Sequence, residues 1–205
     1  MQDAEWFPRL GEVPGIQYPE STLVDRRSLL GHDWQPQHFK YFLEDRYHVR
    51  WPAYDAEWTT ASPAQQWYSR SPAQGHSAAA TLRHLHEVLE LPGDLFTYHL
   101  AIMTGSESLF RFRRTDPWVL EEVERFCLLD MELIVAYPAM IAEERAPGGY
   151  VRSSTFRILR NLYEKDGYLR EAMEIARLAA RFHQESPGLE KIEQRLAILE
   201  AENDV

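Results

Sequence analysis

The run from Ser153 to Arg181, SSTFRILRNLYEKDGYLREAMEIARLAAR, constrains the fold more than any other part of the chain. Phe156, Leu159, Leu162 and Tyr163 recur at steps of three and four, the spacing that puts apolar side chains on one face of a helix. Asp166-Gly167 then interrupts the pattern, and Gly167 supplies the left-handed backbone with which a helix often ends. A second helical stripe follows, made of Ala172, Ile175, Ala176 and Ala179. Small residues there let two helices approach closely while Phe156 and Tyr163 fill the space between them. The pattern predicts two helices packed on each other through a tight turn.

Phe156, Leu159, Tyr163, Gly167, Tyr168, Ala172 and Ala179 fall at the spacing of a tetratricopeptide repeat, and the segment resembles that family. It departs from the pattern at three places: Arg160 stands where the repeat has a small residue, Ala176 where a large aromatic is common, and the closing proline arrives late, at Pro187. The resemblance covers about 30 residues, and one such unit does not bury both of its faces alone. Residues 187–202, with Leu189, Ile192, Leu196 and Leu199 against Glu190, Lys191, Glu193 and Arg195, read as a capping helix. No second copy of the pattern stands upstream. The resemblance therefore implies a short helical stack that holds a partner segment, with Arg157, Arg160 and Tyr163 as the partner-binding residues.

The region before it is helical in a less regular way. Ser77 to Leu91 carries a stripe of Leu82, Leu85, Val88 and Leu89 and stops at Pro92-Gly93; Asp94 is placed to cap the next helix, through Phe96, His99, Leu100 and Met103. Asp116-Pro117 pairs a capping residue with proline at a first helical position, and starts a long helix apolar on several sides. Tyr137-Pro138 ends it, a short turn through Met140 and Ile141 follows, and Pro147-Gly148-Gly149 is a turn. Ser108 to Arg114 alternates, and reads as a short strand or extended connector. Thr59 to Ser77 is rich in Ser, Pro, Ala, Gln and Gly and reads as a long loop.

Five of the six Trp and seven of the twelve Pro lie in the first 75 residues, a density of proline that breaks long helices. Residues 35–49 are the exception, a short amphipathic helix through Phe39, Phe42 and Leu43. The expected organisation is an irregular Trp/Pro-rich region over residues 1–75, packed on a mainly α-helical body over residues 76–205.

Charge and motif content narrow the function. A formal charge of −10 disfavours a protein that coats phosphate backbones. Arg111, Arg113 and Arg114, interleaved with Phe110 and Phe112, are still a candidate anion or nucleic-acid patch. His38, Asp45 and His48 are a candidate metal set on the 35–49 helix. His84 and His86, two apart on a helix, point in opposing directions and do not share an ion. Cys127, the single cysteine, sits in an apolar run and reads as a core residue rather than a nucleophile. The nucleophile elbow, the phosphate loop, the dinucleotide glycine pattern and the paired cysteines of zinc sites are all missing.

No apolar stretch reaches the roughly 20 residues that span a bilayer. The acidic opening Met-Gln-Asp-Ala-Glu-Trp lacks the basic flank of a secretion signal, so a cytoplasmic protein is expected. Nineteen Arg against three Lys suggest a GC-rich bacterial source. The chain thus reads as a protein-interaction or adaptor module for another protein or peptide, with no cofactor and with a homodimer allowed by its helix faces. The alternatives are a metal-dependent enzyme using the His/Asp set and a regulator that touches nucleic acid through the Arg/Phe patch.

Overall fold

The computed structural model describes residues 51–52, 58–70, 77–91, 93–142, 151–184 and 189–203. Over these the protein is mainly α-helical, apart from a two-residue antiparallel pair, β1 (Trp51–Pro52) with β2 (Trp58–Thr59). The expected helix over residues 35–49 and the turn at 147–149 lie outside the described residues, as does most of the Trp/Pro-rich region. The chain divides into two compact units, Met1–Phe126 and Cys127–Val205.

In the first unit, α1 (Pro63–Tyr68) packs on α2 (Ala78–Leu89) and on α3 (Leu95–Arg111), and α2 and α3 pack on each other. The first of these helices corrects the expectation of a loop over residues 59–77. Ser62-Pro63 is not a turn here but a helix start: the Ser62 hydroxyl accepts from the Gln65 amide, and Pro63 occupies the first helical position, where its missing N–H costs nothing. Asp94 caps α3 as expected, accepting from the Thr97 amide at 2.8 Å. Leu85, Val88, Leu89, Leu91, Tyr98, Ile102 and Leu109 form the core, and the Tyr98 hydroxyl donates to the Leu91 carbonyl at 2.7 Å. Gly93 is required by a close approach, since a Cβ there would lie 2.7 Å from the Ala64 methyl and 3.2 Å from the Tyr98 ring.

A second correction concerns Ser108 to Arg114. This segment is not extended; α3 continues through Arg111 and closes in a turn over 112–115. The alternation of Phe and Arg is equally compatible with the last turn of a helix, and the tertiary contacts of Leu109 decide in its favour.

α4 (Val119–Ala136) follows a tight turn in which the Val119 amide donates to the Asp116 carbonyl and the Leu120 amide to that of Pro117. Val119, Val123, Phe126, Cys127, Leu129, Leu133 and Ile134 are all buried, which accounts for the breadth of its apolar surface. Tyr137-Pro138 ends it, and α5 (Ala139–Ala142) is the expected short turn, with Met140 and Ile141 buried. The second unit is completed by α6 (Thr155–Asp166), α7 (Leu169–Arg181) and α8 (Leu189–Asn203). α6 packs on α7 and α7 on α8, the latter around Leu169, Ala172 and Ile192, with Tyr163, Met173 and Leu196 at the margin.

Candidate functional site

The geometry of the second unit is set at one end by a buried polar frame. α6 has no side-chain cap of its own at Ser154. Asp130 of α4, fully buried, takes that place: its Oδ2 accepts from the Thr155 hydroxyl at 2.6 Å and from the Ser153 hydroxyl at 3.4 Å. A carboxylate suits this position because the first amides of a helix carry partial positive charge. Gln184, just past α7, accepts from the Ser153 amide at 2.8 Å through Oε1 and donates to the Val151 carbonyl at 2.9 Å through Nε2. The start of α6 is thereby tied to α4 and to the end of α7.

Gln184 is brought there by a helix end with an unusual residue. The Gln184 amide bonds the Ala179 carbonyl and the His183 amide that of Ala180, while His183 adopts φ 56°. This is the six-to-one closure of a helix in which the left-handed position normally holds glycine. At the other end of the pair, α6 closes in the same manner with Gly167 at φ 88°, and the Tyr168 amide reaches back to the Tyr163 carbonyl at 2.9 Å. The rings of Tyr163 and Tyr168 then meet edge to face, 6.1 Å apart, the apolar contact that accompanies this closure.

Beyond that turn several large apolar side chains are exposed among the described residues. Arg195 of α8 bonds Glu164 in the last turn of α6 at 3.0 Å, and Leu196 packs on the Leu169 cluster. The stripe of α8 runs one turn further, to Leu199, while α7 begins only at Leu169. Tyr168 is 57% exposed, Ile198 59% and Leu199 45%, so three of the five exposed large hydrophobic residues among those described lie at this end.

The residues singled out from sequence fall as follows. Arg157 is exposed on α6. Arg160, expected on an open groove, is 8% exposed, with its Nη2 donating to Asn161. It follows Ile158 and Leu159 on the buried side of α6, so the side chain is covered. Tyr163 is half-buried between its Tyr168 contact and the Leu169 cluster. Arg113 folds back on its own helix end, donating to the Phe110 carbonyl at 2.9 Å with its guanidinium 4.3 Å over the Phe110 ring; Arg111 and Arg114 are exposed. The set His38, Asp45 and His48 lies outside the described residues. Among the described residues no three His, Cys, Asp or Glu converge. His84 and His86 do take different partners, Trp67 and Phe126 respectively. Cys127 is buried, and no described helix is long and apolar enough to cross a membrane.

Sequence reasoning missed Asp130 and Gln184, which carry no motif, and it counted Tyr168 and Leu199 as packing residues. One signal for the latter was present: the apolar stripe of α8 extends past the start of the helix that covers it. Comparison with protein-family models, with curated proteins and with solved structures finds no match to this chain.

Proposed function

We propose that the C-terminal unit is a protein-interaction module, a repeat-like helix pair closed by α8, that holds an amphipathic helix of a partner protein against Tyr168, Ile198 and Leu199. The observation that carries this reading is the exposure of three large apolar side chains, Tyr168 at the start of α7 and Ile198 and Leu199 in the last turns of α8. Such side chains suit the docking of a helix by its apolar face, with Tyr168 as an aromatic anchor. Charge selects the class of helix. Asp166, Glu171, Glu200 and Glu202 stand near this end in sequence against Lys165 and Arg170, and the chain as a whole is at −10, so a partner with Lys or Arg beside its apolar stripe is favoured in encounter and register.

The test uses two designed, fluorescently labelled peptides of the same heptad pattern, one Leu/Lys and one Leu/Glu, titrated with the full-length protein. The Leu/Lys peptide is expected to bind, the Leu/Glu peptide to bind far more weakly, and Leu199→Ser, which leaves the charge unchanged, to abolish capture. Binding that survives both Leu199→Ser and Tyr168→Ser overturns the proposal. So does a concentration-dependent dimer that Leu199→Ser dissolves, since the occupant is then a second copy of the chain.

A further inference from the structure

The chain reverses between α3 and α4 in a turn held by its own backbone. The Thr115 and Asp116 amides both donate to the Phe112 carbonyl, at 2.9 and 2.8 Å, and the Val119 amide donates to that of Asp116 at 3.1 Å. Arg111, Arg113, Arg114 and Trp118 are thereby carried on one short reversal within the first unit. Trp118 is 44% exposed, beside an exposed Pro117, and Phe110 and Phe112 are half-buried. Arg113 is held over the Phe110 ring, whereas Arg111 and Arg114 are exposed and enter no ion pair among the described residues.

The acidic groups that follow are already engaged. Asp116 accepts from the Thr115 hydroxyl at 2.9 Å, and Glu121 and Glu122 are held by Arg125 at 2.8 and 3.1 Å. The reversal therefore presents two uncommitted guanidiniums and an indole, on a chain whose formal charge is −10. A guanidinium fork matches a carboxylate or a phosphate, and an exposed indole adds apolar area beside it. The charge of the rest of the chain selects between them. A polynucleotide carries its phosphates past the reversal and over an acidic surface, whereas a short acidic segment sets its charges down on the arginines alone.

We infer that the α3–α4 reversal is a docking surface for a short acidic segment of a protein, one that carries an apolar side chain beside its carboxylates. The carboxylates pair with Arg111 and Arg114, and the apolar side chain lies on Trp118. This surface differs in chemistry from the Tyr168 and Leu199 end, which favours a basic helix, and neither requires the other.

The test is a titration of the full-length protein at about 50 mM salt with a labelled peptide of roughly ten residues, Asp and Glu around a central Leu-Phe pair. Its Asn/Gln counterpart and an oligouridylate of the same length are the comparisons. The acidic peptide is expected to bind, less tightly as salt is added, and the Asn/Gln peptide far more weakly. Arg111→Gln combined with Arg114→Gln is expected to lose roughly tenfold in affinity and Trp118→Ala roughly fivefold, while Leu199→Ser binds as wild type. Thermal melting confirms that each variant is folded, and Trp118→Gln replaces the alanine should that variant fail. Absence of binding to wild type, or capture that survives either the double arginine variant or loss of the indole, overturns the proposal. So does tighter binding of the oligouridylate, since the partner is then a nucleic acid, or loss of capture in Leu199→Ser.

Discussion

The Gln184 side chain gives Ser153 what a neighbouring β-strand would give it: its amide group accepts from the Ser153 N–H and donates to the Val151 carbonyl two residues earlier. A single side chain thus pairs two backbone groups, the buried Ser153 N–H and the partly buried Val151 carbonyl, of a segment that pairs with no described strand. The left-handed His183 before it is the cost of aiming Gln184 inward, and Asp130 completes the frame from α4.

Removing that amide should be expensive. Gln184→Ala leaves the buried Ser153 N–H unpaired, at a cost of about 1–3 kcal/mol, and the partly buried Val151 carbonyl, which water reaches more readily. Urea unfolding is expected to show a loss of roughly 1–3 kcal/mol. A loss below about 1 kcal/mol would mean that water replaces the side chain.

The two left-handed residues predict opposite outcomes of one effect. At Gly167 nothing lies within 4 Å of an added Cβ, so Gly167→Ala meets only backbone strain and should lower stability by about 1 kcal/mol. His183 bears that strain already, and His183→Gly should raise stability by about 0.5–1 kcal/mol. Thermal unfolding of the two variants beside wild type checks both signs.

Much of the helical pattern was legible because its signals are local. Gly167 between two stripes, Asp94 before Phe96 and Pro138 after Tyr137 mark ends that need no knowledge of distant residues. What escaped was decided by distance in space. Ser62-Pro63 starts a helix rather than a turn because α1 has α2 and α3 to pack on, and Phe110 to Arg114 coils because Leu109 is buried. Of the interaction residues expected from sequence, Arg160 is buried because the inward position it occupies does not change with the residue placed there. The exposed end at Tyr168 and Leu199 depends on where two helices stop relative to each other, which periodicity alone does not report.

Glu132 lies on the exposed side of α4, where desolvation by neighbouring groups raises its carboxyl pKa. The folded state then holds the proton more tightly than the unfolded chain, so stability is lost as pH rises through the carboxylate range. Glu132→Gln is expected to unfold at higher urea than wild type at pH 7 and at the same urea near pH 3.5, where both side chains are neutral. An advantage that persists at the lower pH would point to packing instead of charge.

Arg157 and Arg160 separate the groove expected from sequence from the exposed end seen in the fold. Arg157 is exposed, so Arg157→Glu should leave stability within about 0.5 kcal/mol of wild type. Arg160 is 8% exposed and bonded to Asn161, so Arg160→Glu buries a reversed charge and should cost about 2–4 kcal/mol. Binding of the Leu/Lys peptide, measured where both variants remain folded, should be close to wild type for each, because neither residue belongs to the Tyr168 and Leu199 end. If Arg157→Glu instead strengthens capture of that basic peptide while Leu199→Ser leaves it intact, the partner lies along α6, and the exposed end of α8 has no part in holding it.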